Sequence, residues 1–320
     1  MIRTGFPTDG PTLGEVGEQQ VIRAIVNAAP SSLNGDDAAV LRPAAPNSRM
    51  VAATDMLVHG RHFLPEYTTP EQLGRKAVLQ NFADIEAMGA RPVAVLLALS
   101  APPTLPLAVV EKLAEGINSM VEEYAAELVG GDVTSGSELV ISISAVGWLG
   151  GNLQPLTLDR ARAGQNLVAH GRIGYSAAGL DLLRSGRQIP GEFAELVDAH
   201  QAPRLTPGRG VVARAAGATA MTDNSDGLVR DAGLIAKRSG VQIVLDREAL
   251  APDDNLTAAG EFLGVDPWDW VLGGGEDHAL LATIDCDAPA GFRTIGQVKK
   301  GAGVTLGGEE PVHAGGWDSF

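Results

Sequence analysis

Cysteine is almost absent from this chain: Cys286 is the single one among 320 residues. A lone cysteine excludes an intrachain disulfide and a zinc site built from cysteines. Long apolar runs are missing too, because no stretch approaches the ~20 residues that cross a bilayer. Residues 1–11 also lack the basic segment and apolar run of a signal peptide. We therefore expect a cytoplasmic protein, neither secreted nor inserted in a membrane.

Basic residues are scarce relative to acidic ones, with 24 Lys and Arg against 39 Asp and Glu and a formal charge of −15. Nucleic acids and anionic membranes attract clustered positive charge, so neither is expected as a partner. The Gly-x-x-x-x-Gly-Lys-Ser/Thr loop, a Gly-x-Gly-x-x-Gly turn after the first strand and His-Glu-x-x-His are all absent. Walker-type nucleotide binding, dinucleotide binding and zincin chemistry are thereby disfavoured.

Carboxylates, in contrast, recur beside glycine or alanine. The stretches are Gly35-Asp36-Asp37-Ala38-Ala39-Val40, Ala53-Thr54-Asp55, Asn81-Phe82-Ala83-Asp84, Gly130-Gly131-Asp132, Asp223-Asn224-Ser225-Asp226-Gly227 and Gly273-Gly274-Gly275-Glu276-Asp277. Mg²⁺ prefers oxygen ligands, and phosphates meet a protein through such cations, cationic side chains or backbone N–H groups. The pattern predicts a metal- and nucleotide-dependent enzyme, although surface solubility alone also explains an acidic composition.

The hydrophobic pattern predicts an α/β protein of two domains, residues 1–150 and 151–320, with the boundary in the Gly- and Pro-containing segment 147–162. In the first half we expect strands at 50–54, 93–99 and 139–146, and helices at 71–88 and 110–128, the second ended by Gly130 and Gly131. In the second half we expect strands at 166–170, 218–221, 241–245, 278–284 and 294–298 in a mixed sheet. Its helices are predicted at 176–184, 192–199, 208–216 and from the 222–226 cap to about 238.

Asp84 is the most informative single acid. It follows Asn81 by three helical residues, so both lie on one face, close to apolar Phe82 and Ile85. A carboxylate near the buried side of a helix must be paired or bind a metal. The alternative is that Asp84 lies at the solvent edge of the apolar stripe.

The sequence predicts that a strand meets a helix N-terminus at Asp223, Ser225 and Asp226. Such an N-terminus attracts phosphate through its free N–H groups. Two acids would repel a bare phosphate, which favours a bridging cation. An N-cap is the alternative, and it accounts for one acid only.

The other acidic motifs are ambiguous when taken alone. Residues 36–37 form either a metal site or an Asx turn. Asp55 ends a strand beside the cationic and titratable segment 59–62. Asp132 follows two glycines that suit either a phosphate loop or a helix C-cap, and Glu276 follows three that suggest a loop shaped around a ligand.

As a set and in this order, the six motifs resemble the thiamine-monophosphate kinase family, from about Gly14 to the terminal residues 316–320. Single motifs are shared with the wider superfamily of aminoimidazole ribonucleotide synthetase, selenophosphate synthetase and the hydrogenase-maturation dehydratase. The resemblance implies ATP-dependent, Mg²⁺-dependent transfer of a phosphoryl group to thiamine monophosphate, directly and in line. It also implies a homodimer formed through a mostly antiparallel or mixed N-terminal sheet, with ATP between the two domains.

The resemblance also implies roles for individual residues. Asp223 and Asp226 would be catalytic, and the metal ligands would be Asp37, Thr54, Asp55, Asp84, Asp132, Asp223 and Asp226. Gly131, Asp132 and Ser225 would lie near the nucleotide. His62, Glu276 and the C-terminal aromatic Trp317 would contact thiamine phosphate. Where the family carries an interdomain Arg that reaches ATP, this chain has Leu158, and whether Arg160 or Arg162 substitutes for that Arg stays open.

Two rival functions stay open from the sequence. One is another ATP-dependent reaction of the superfamily with a different acceptor, as in an aminoimidazole ribonucleotide synthetase-like enzyme. The terminal cysteines used by selenophosphate synthetase and the dehydratase are lacking here, which weakens those two versions. The other rival is a non-catalytic protein that binds divalent metal for structure.

Overall fold

The computed structural model describes residues 4–33, 39, 41, 46–312 and 315–316. The chain divides into two compact units: unit 1 comprises Met1–Ile85 and Pro92–Gly151, and unit 2 comprises Glu86–Arg91 and Asn152–Phe320. Both units mix helices and strands, which confirms the predicted α/β class. Among the described residues, no helix is both long enough and apolar enough to cross a bilayer.

Unit 1 is built around a four-stranded sheet with the order β1-β4-β2-β3. Its strands are Arg49–Val58 (β1), Arg91–Ala101 (β2), Glu127–Ser135 (β3) and Val140–Leu149 (β4). Its helices are Leu13–Val16 (α1), Glu18–Ala28 (α2), Pro70–Ala87 (α3) and Leu107–Glu123 (α4). β1 runs antiparallel to β4, whereas β2 and β3, which α4 connects, are parallel.

The sequence of α3 determines both where the helix begins and how closely it packs against α4. Thr69 and Gln72 form a reciprocal capping box, in which each side chain accepts the backbone N–H of the other residue, at 3.3 and 2.8 Å. Gly74 of α3 and Gly116 of α4 let the two helices approach closely, since a Cβ on Gly116 would overlap the carbonyl oxygen of Glu71. The two glycines therefore fix how α3 and α4 pack.

The predicted end of the long helix was wrong. α4 ends at Glu123, and Ala125 takes a left-handed conformation with φ of 50°. The N–H of Ala126 then bonds to the carbonyl of Val121 at 2.8 Å, as in a Schellman C-cap, without the glycine that usually marks one. Gly130, Gly131 and Asp132 consequently lie inside β3 and do not cap a helix.

Unit 2 contains a six-stranded mixed sheet with the order β10-β7-β9-β5-β8-β6. The strands are Asn166–His170 (β5), Ala220–Asn224 (β6), Gln242–Leu245 (β7), Ala279–Ile284 (β8), Arg293–Lys299 (β9) and Gly303–Leu306 (β10). The helices are Tyr175–Arg184 (α5), Ala194–Gln201 (α6), Arg209–Ala215 (α7), Leu228–Ser239 (α8), Asp254–Leu263 (α9) and Pro267–Gly273 (α10). Every residue of β8 is buried, as expected for a strand covered on both faces.

Most predicted elements of unit 2 are confirmed within two residues, but the junction between β6 and α8 differs. β6 extends to Asn224, so Asp223 lies within the strand. The N-cap of α8 is Gly227, which has no side chain to cap the helix. The predicted cap formed by residues 222–226 was therefore wrong, and neither Asp223 nor Asp226 is explained as an N-cap.

Candidate active site

In unit 1, the predicted metal ligands Thr54 and Asp55 are neighbours in β1. Successive strand residues point to opposite faces of a sheet, so these two side chains diverge. The hydroxyl of Thr54 lies 3.1 Å from the carbonyl oxygen of Ile143 and 3.0 Å from Oγ of Ser144, both in β4. Asp55 is half-buried on the other face.

Asp84 lies near the C-terminal end of α3 and is half-buried, while Phe82, Ala83 and Ile85 around it are fully buried. Asn81 is also fully buried, and its Nδ2 donates to the carbonyl of Ala77 at 3.0 Å. Its Oδ1 has no hydrogen-bond partner among the described residues. This face of α3 thus carries a partly accessible carboxylate next to a buried amide oxygen.

Gly131 and Asp132 lie side by side in the middle of β3, and both are exposed. Gly131 is required by strand packing, because a Cβ there would overlap the carbonyl oxygen of Leu97 in β2. The glycine signal therefore has a structural cause, and Asp132 follows it on the exposed strand.

His62 lies in the turn after β1, and its Nδ1 accepts the backbone N–H of Val58 at 3.0 Å. Asp37 and Trp317, predicted as a metal ligand and a substrate contact, lie outside the described residues.

In unit 2, the glycine-rich loop 273–278 runs beside residues 224–227. The N–H of Glu276 donates to the carbonyl of Ser225 at 2.8 Å, and the N–H of His278 donates to the carbonyl of Asn224 at 2.9 Å. A Cβ on Gly275 would overlap the carbonyl oxygen of Ser225. Close backbone packing, which the sequence alone did not reveal, thus requires this glycine and places Glu276 next to the Asp223–Asp226 segment.

Asp223 and His278 form a buried pair. Oδ2 of Asp223 lies 3.0 Å from Nδ1 of His278, and their side chains are 8% and 6% exposed. Sequence reasoning missed His278, which in the chain is separated from Asp223 by more than fifty residues.

Asp231 organises the loop that carries Asp226. Its Oδ2 accepts the backbone N–H groups of Asp226 at 3.0 Å and Gly227 at 3.1 Å. Burial, together with the negative charges of Asp223 and Asp226, raises the pKa of Asp231 to about 7, although the two N–H bonds lower it. Three carboxylates therefore crowd one end of β6, where Arg230 pairs with Asp226 at 3.4 Å.

The buried Asp277 carboxylate binds the N-terminus of helix α5. Its two oxygens accept the N–H groups of Gly174 at 2.6 Å and Ser176 at 2.8 Å, at the start of α5. Burial raises the pKa of Asp277 to about 7, and these bonds offset only part of that effect. Asp277 thus anchors the loop that carries the neighbouring Glu276.

Glu276 is half-buried and has a left-handed backbone with φ of 63°. Its Oε2 lies 3.4 Å from Nδ1 of His200, which in turn lies 3.3 Å from Oγ of Ser176. The carboxylate that we predicted as a substrate contact is therefore oriented by a buried histidine of α6.

Several of these partners lacked a usable sequence signal. The exception is Asp231, an acid in the first turn of a helix that follows an Asp-Gly pair, which is a recognisable loop-capping pattern.

Among residues 4–33, 39, 41, 46–312 and 315–316, no group of three His, Cys, Asp or Glu residues is arranged to hold a metal ion. The candidate Arg162 pairs with Asp285 at 2.5 Å, and Arg160 donates to the carbonyl of Pro155 at 3.3 Å.

Comparison with known proteins gives a consistent picture along the whole chain. Residues 35–149 match the family described as AIR synthase related protein, N-terminal domain. The chain is 61% identical over 317 residues to a thiamine-monophosphate kinase of Corynebacterium glutamicum, covering 98% of this chain and 96% of that protein. It is 45% identical to one of Mycobacterium tuberculosis, covering 98% and 94%.

Solved structures agree with these sequence relatives. The structure of AaThiL complexed with AMPPCP and TMP superposes with a TM-score of 0.75 at 32% identity and covers 97% of this chain and 99% of that one. A thiamine-monophosphate kinase from Stenotrophomonas maltophilia gives a TM-score of 0.77 at 31% identity, covering 92% and 96%. The hydrogenase maturation protein HypE in complex with ATP, at 18% identity and a TM-score of 0.72, shares the fold alone.

Proposed function

The chain belongs to the thiamine-monophosphate kinase family, and from that membership we propose that it transfers the γ-phosphoryl group of ATP to thiamine monophosphate, giving ADP and thiamine diphosphate. The observation that carries this proposal is 61% identity to a kinase of that name over nearly the full length of both chains. A relative of similar fold whose complex holds AMPPCP and TMP supports the same two substrates.

The reaction needs alignment of two polyanions more than it needs a base. A bond forms between an acceptor phosphate oxygen and the γ-phosphorus, the bond to the β–γ bridging oxygen breaks, and its electron pair leaves with ADP. A phosphate monoester has a second pKa near ~6, so the acceptor is already an anionic nucleophile at neutral pH and no proton has to be removed. The protein therefore has to hold the two phosphates in line and offset their repulsion.

The acidic residues are suited to holding Mg²⁺ for this purpose. Bound Mg²⁺ would supply the positive charge that offsets phosphate repulsion. Carboxylates are the ligands it prefers. Burial is the main cause of the raised pKa of Asp231, and a cation would offset the repulsion from Asp223 and Asp226 that adds to it. We propose that several Mg²⁺ ions bind, with Asp223 and Asp226 as catalytic ligands in unit 2. The proposed ligands in unit 1 are Asp37, Thr54, Asp55, Asp84 and Asp132.

Substrate contacts are proposed for residues beside these acids. Gly131, Asp132 and Ser225 would contact the nucleotide, and Ser225 is supported by its place in the loop that Asp231 organises. We propose that Glu276, which His200 orients, His62, whose ring the Val58 N–H orients, and Trp317 contact thiamine monophosphate.

We also propose that the protein is a cytoplasmic homodimer. Support for the dimer comes from apolar side chains on the strands of unit 1: Met50 and Met56 of β1 are 65% and 54% exposed, and Leu96 of β2 is 41% exposed. Exposed apolar patches of this kind mark surfaces that bind another protein. Measuring the mass in solution tests this part.

The function is tested by incubating purified protein with ATP, MgCl₂ and thiamine monophosphate and separating the products by chromatography. We expect thiamine diphosphate and ADP in equal amounts, and none when thiamine monophosphate is replaced by thiamine. Failure to form thiamine diphosphate would contradict the proposal. A structural metal protein, the non-catalytic alternative, would be stabilised against heat by Mg²⁺ with no further shift on adding ATP.

A further inference from the structure

His278 is placed to control the geometry of Asp223. The two side chains are nearly excluded from solvent and meet through Nδ1 and Oδ2 at 3.0 Å. Either the neutral Nδ1–H tautomer or the imidazolium can donate this bond, so its existence does not depend on the charge of the ring. It engages one carboxylate oxygen and leaves Oδ1 of Asp223 for another partner.

The backbone of His278 is held as firmly as its ring. Its φ of 53° is uncommon for a residue other than glycine, and the nearby Glu276 has φ of 63°. The N–H of His278 bonds to the carbonyl of Asn224, next to Asp223. Strained conformations such as these persist only where surrounding contacts determine them, and they concentrate at functional sites.

Asp223 needs such a partner because other acids lie near it. Asp231 accepts the backbone N–H groups of Asp226 at 3.0 Å and Gly227 at 3.1 Å, so its carboxylate lies at the same end of β6 as Asp223. Because like charges repel, a donor bonded to Asp223 favours one orientation of its carboxylate. Nε2 of His278 is buried and has no hydrogen-bond partner among the described residues, so the bond to Asp223 is the interaction that orients the ring.

We propose that His278 is a positioning residue that fixes the Asp223 carboxylate for binding the divalent cation. This inference rests on the proposed function, in which Asp223 is a Mg²⁺ ligand. Histidines and carboxylates that orient a metal ligand from outside change metal affinity by about 10- to 100-fold when removed. His278 should therefore act on Mg²⁺ affinity and on turnover but not on the binding of thiamine monophosphate.

Two substitutions separate this role from a merely structural one. His278→Asn keeps an N–H donor near the position of Nδ1, and Asn tolerates positive φ well. His278→Leu fills much of the space but donates nothing. If the leucine variant does not fold, His278→Gln takes its place, because the glutamine amide lies one bond farther from the backbone than the asparagine amide.

For each variant we would measure the Mg²⁺ concentration that gives half-maximal turnover, kcat, and KM for thiamine monophosphate. The leucine variant should need about tenfold more Mg²⁺ and turn over more slowly, with an unchanged KM, whereas the asparagine variant should stay within about threefold of the wild type. Wild-type Mg²⁺ dependence in the leucine variant, or equal damage in both variants, would overturn the proposal.

A second readout does not depend on the reaction. The rise in melting temperature caused by MgCl₂ with ATP should need more Mg²⁺ in the leucine variant than in the wild type or the asparagine variant. If the wild type showed this rise but formed no thiamine diphosphate, the proposed function would fail while the role of His278 was still tested. If the three Mg²⁺ dependences coincided, the positioning role would be refuted.

Discussion

Glu86 should make the stability of unit 2 fall as the pH rises through neutrality. Its carboxylate is fully buried and accepts the backbone N–H groups of Gly208 at 2.6 Å and Gly210 at 2.5 Å. Burial raises its pKa from 4.5 to about 7, and these two bonds and the charge of Arg209 offset only part of the effect.

The sign and size of the change in the free energy of unfolding follow from proton linkage at Glu86. Because the folded-state pKa lies above the unfolded value of 4.5, the folded protein holds this proton more tightly. The stabilisation is complete below pH 4.5 and is lost as the pH rises through the folded-state pKa of about 7. With these two pKa values, the loss between about pH 5.5 and 7.5 is about 2 kcal/mol in the free energy of unfolding.

The assay is urea unfolding of the wild type and Glu86→Gln over this pH range, in buffer without divalent cations. Asp231 and Asp277 also have raised pKa values, but they contribute equally to both proteins and cancel in the difference. The wild type should lose about 2 kcal/mol more than the variant. Glu115→Gln, at an exposed position of α4, is the matched control and should follow the wild type. Parallel pH profiles for Glu86→Gln and the wild type would refute this reasoning.

Three further predictions concern the reaction and the packing of unit 1. Asp226→Asn should abolish formation of thiamine diphosphate with little change in melting temperature, while the exposed Asp254→Asn keeps both; normal turnover in Asp226→Asn would remove that residue from the site. Gly116→Ala should lower the urea midpoint by an amount equivalent to about 1–3 kcal/mol, because its Cβ overlaps the Glu71 carbonyl, and an unchanged midpoint would contradict that packing. Acid quenching during turnover with γ-labelled ATP should leave no labelled phosphate on the protein, whereas a labelled protein would exclude direct transfer.

Local patterns were enough to predict much of the fold. α3 was predicted from its apolar spacing, and its bounds differ from the prediction by one residue at each end. β5 and β8 were found from short apolar runs. The end of α4 was missed because Ala125 adopts a glycine-like conformation and the apolar residues of β3 continue the helical spacing by coincidence.

The candidate site was predictable only in part, for a different reason. Acids beside glycines marked Asp223, Asp226 and Glu276, because those motifs are continuous in the chain. His278 and His200 were missed because their roles come from tertiary neighbours, and a single His carries no local signal of its partner. The glycines at 131 and 275 were noticed for their flexibility, whereas their structural cause is the close approach of another strand or loop.

The central claim, that Asp84 and Asp223 each hold a divalent cation that ATP binding requires, is tested most directly by calorimetric titration of ATP. The titration would compare the wild type, Asp84→Asn and Asp223→Asn in MgCl₂ and in EDTA, with Asp254→Asn as the control. The wild type and the control should bind ATP at least about tenfold more tightly in MgCl₂, and each of the other two variants should lose most of that gain. Wild-type affinity in MgCl₂ for either Asp84→Asn or Asp223→Asn would contradict the claim.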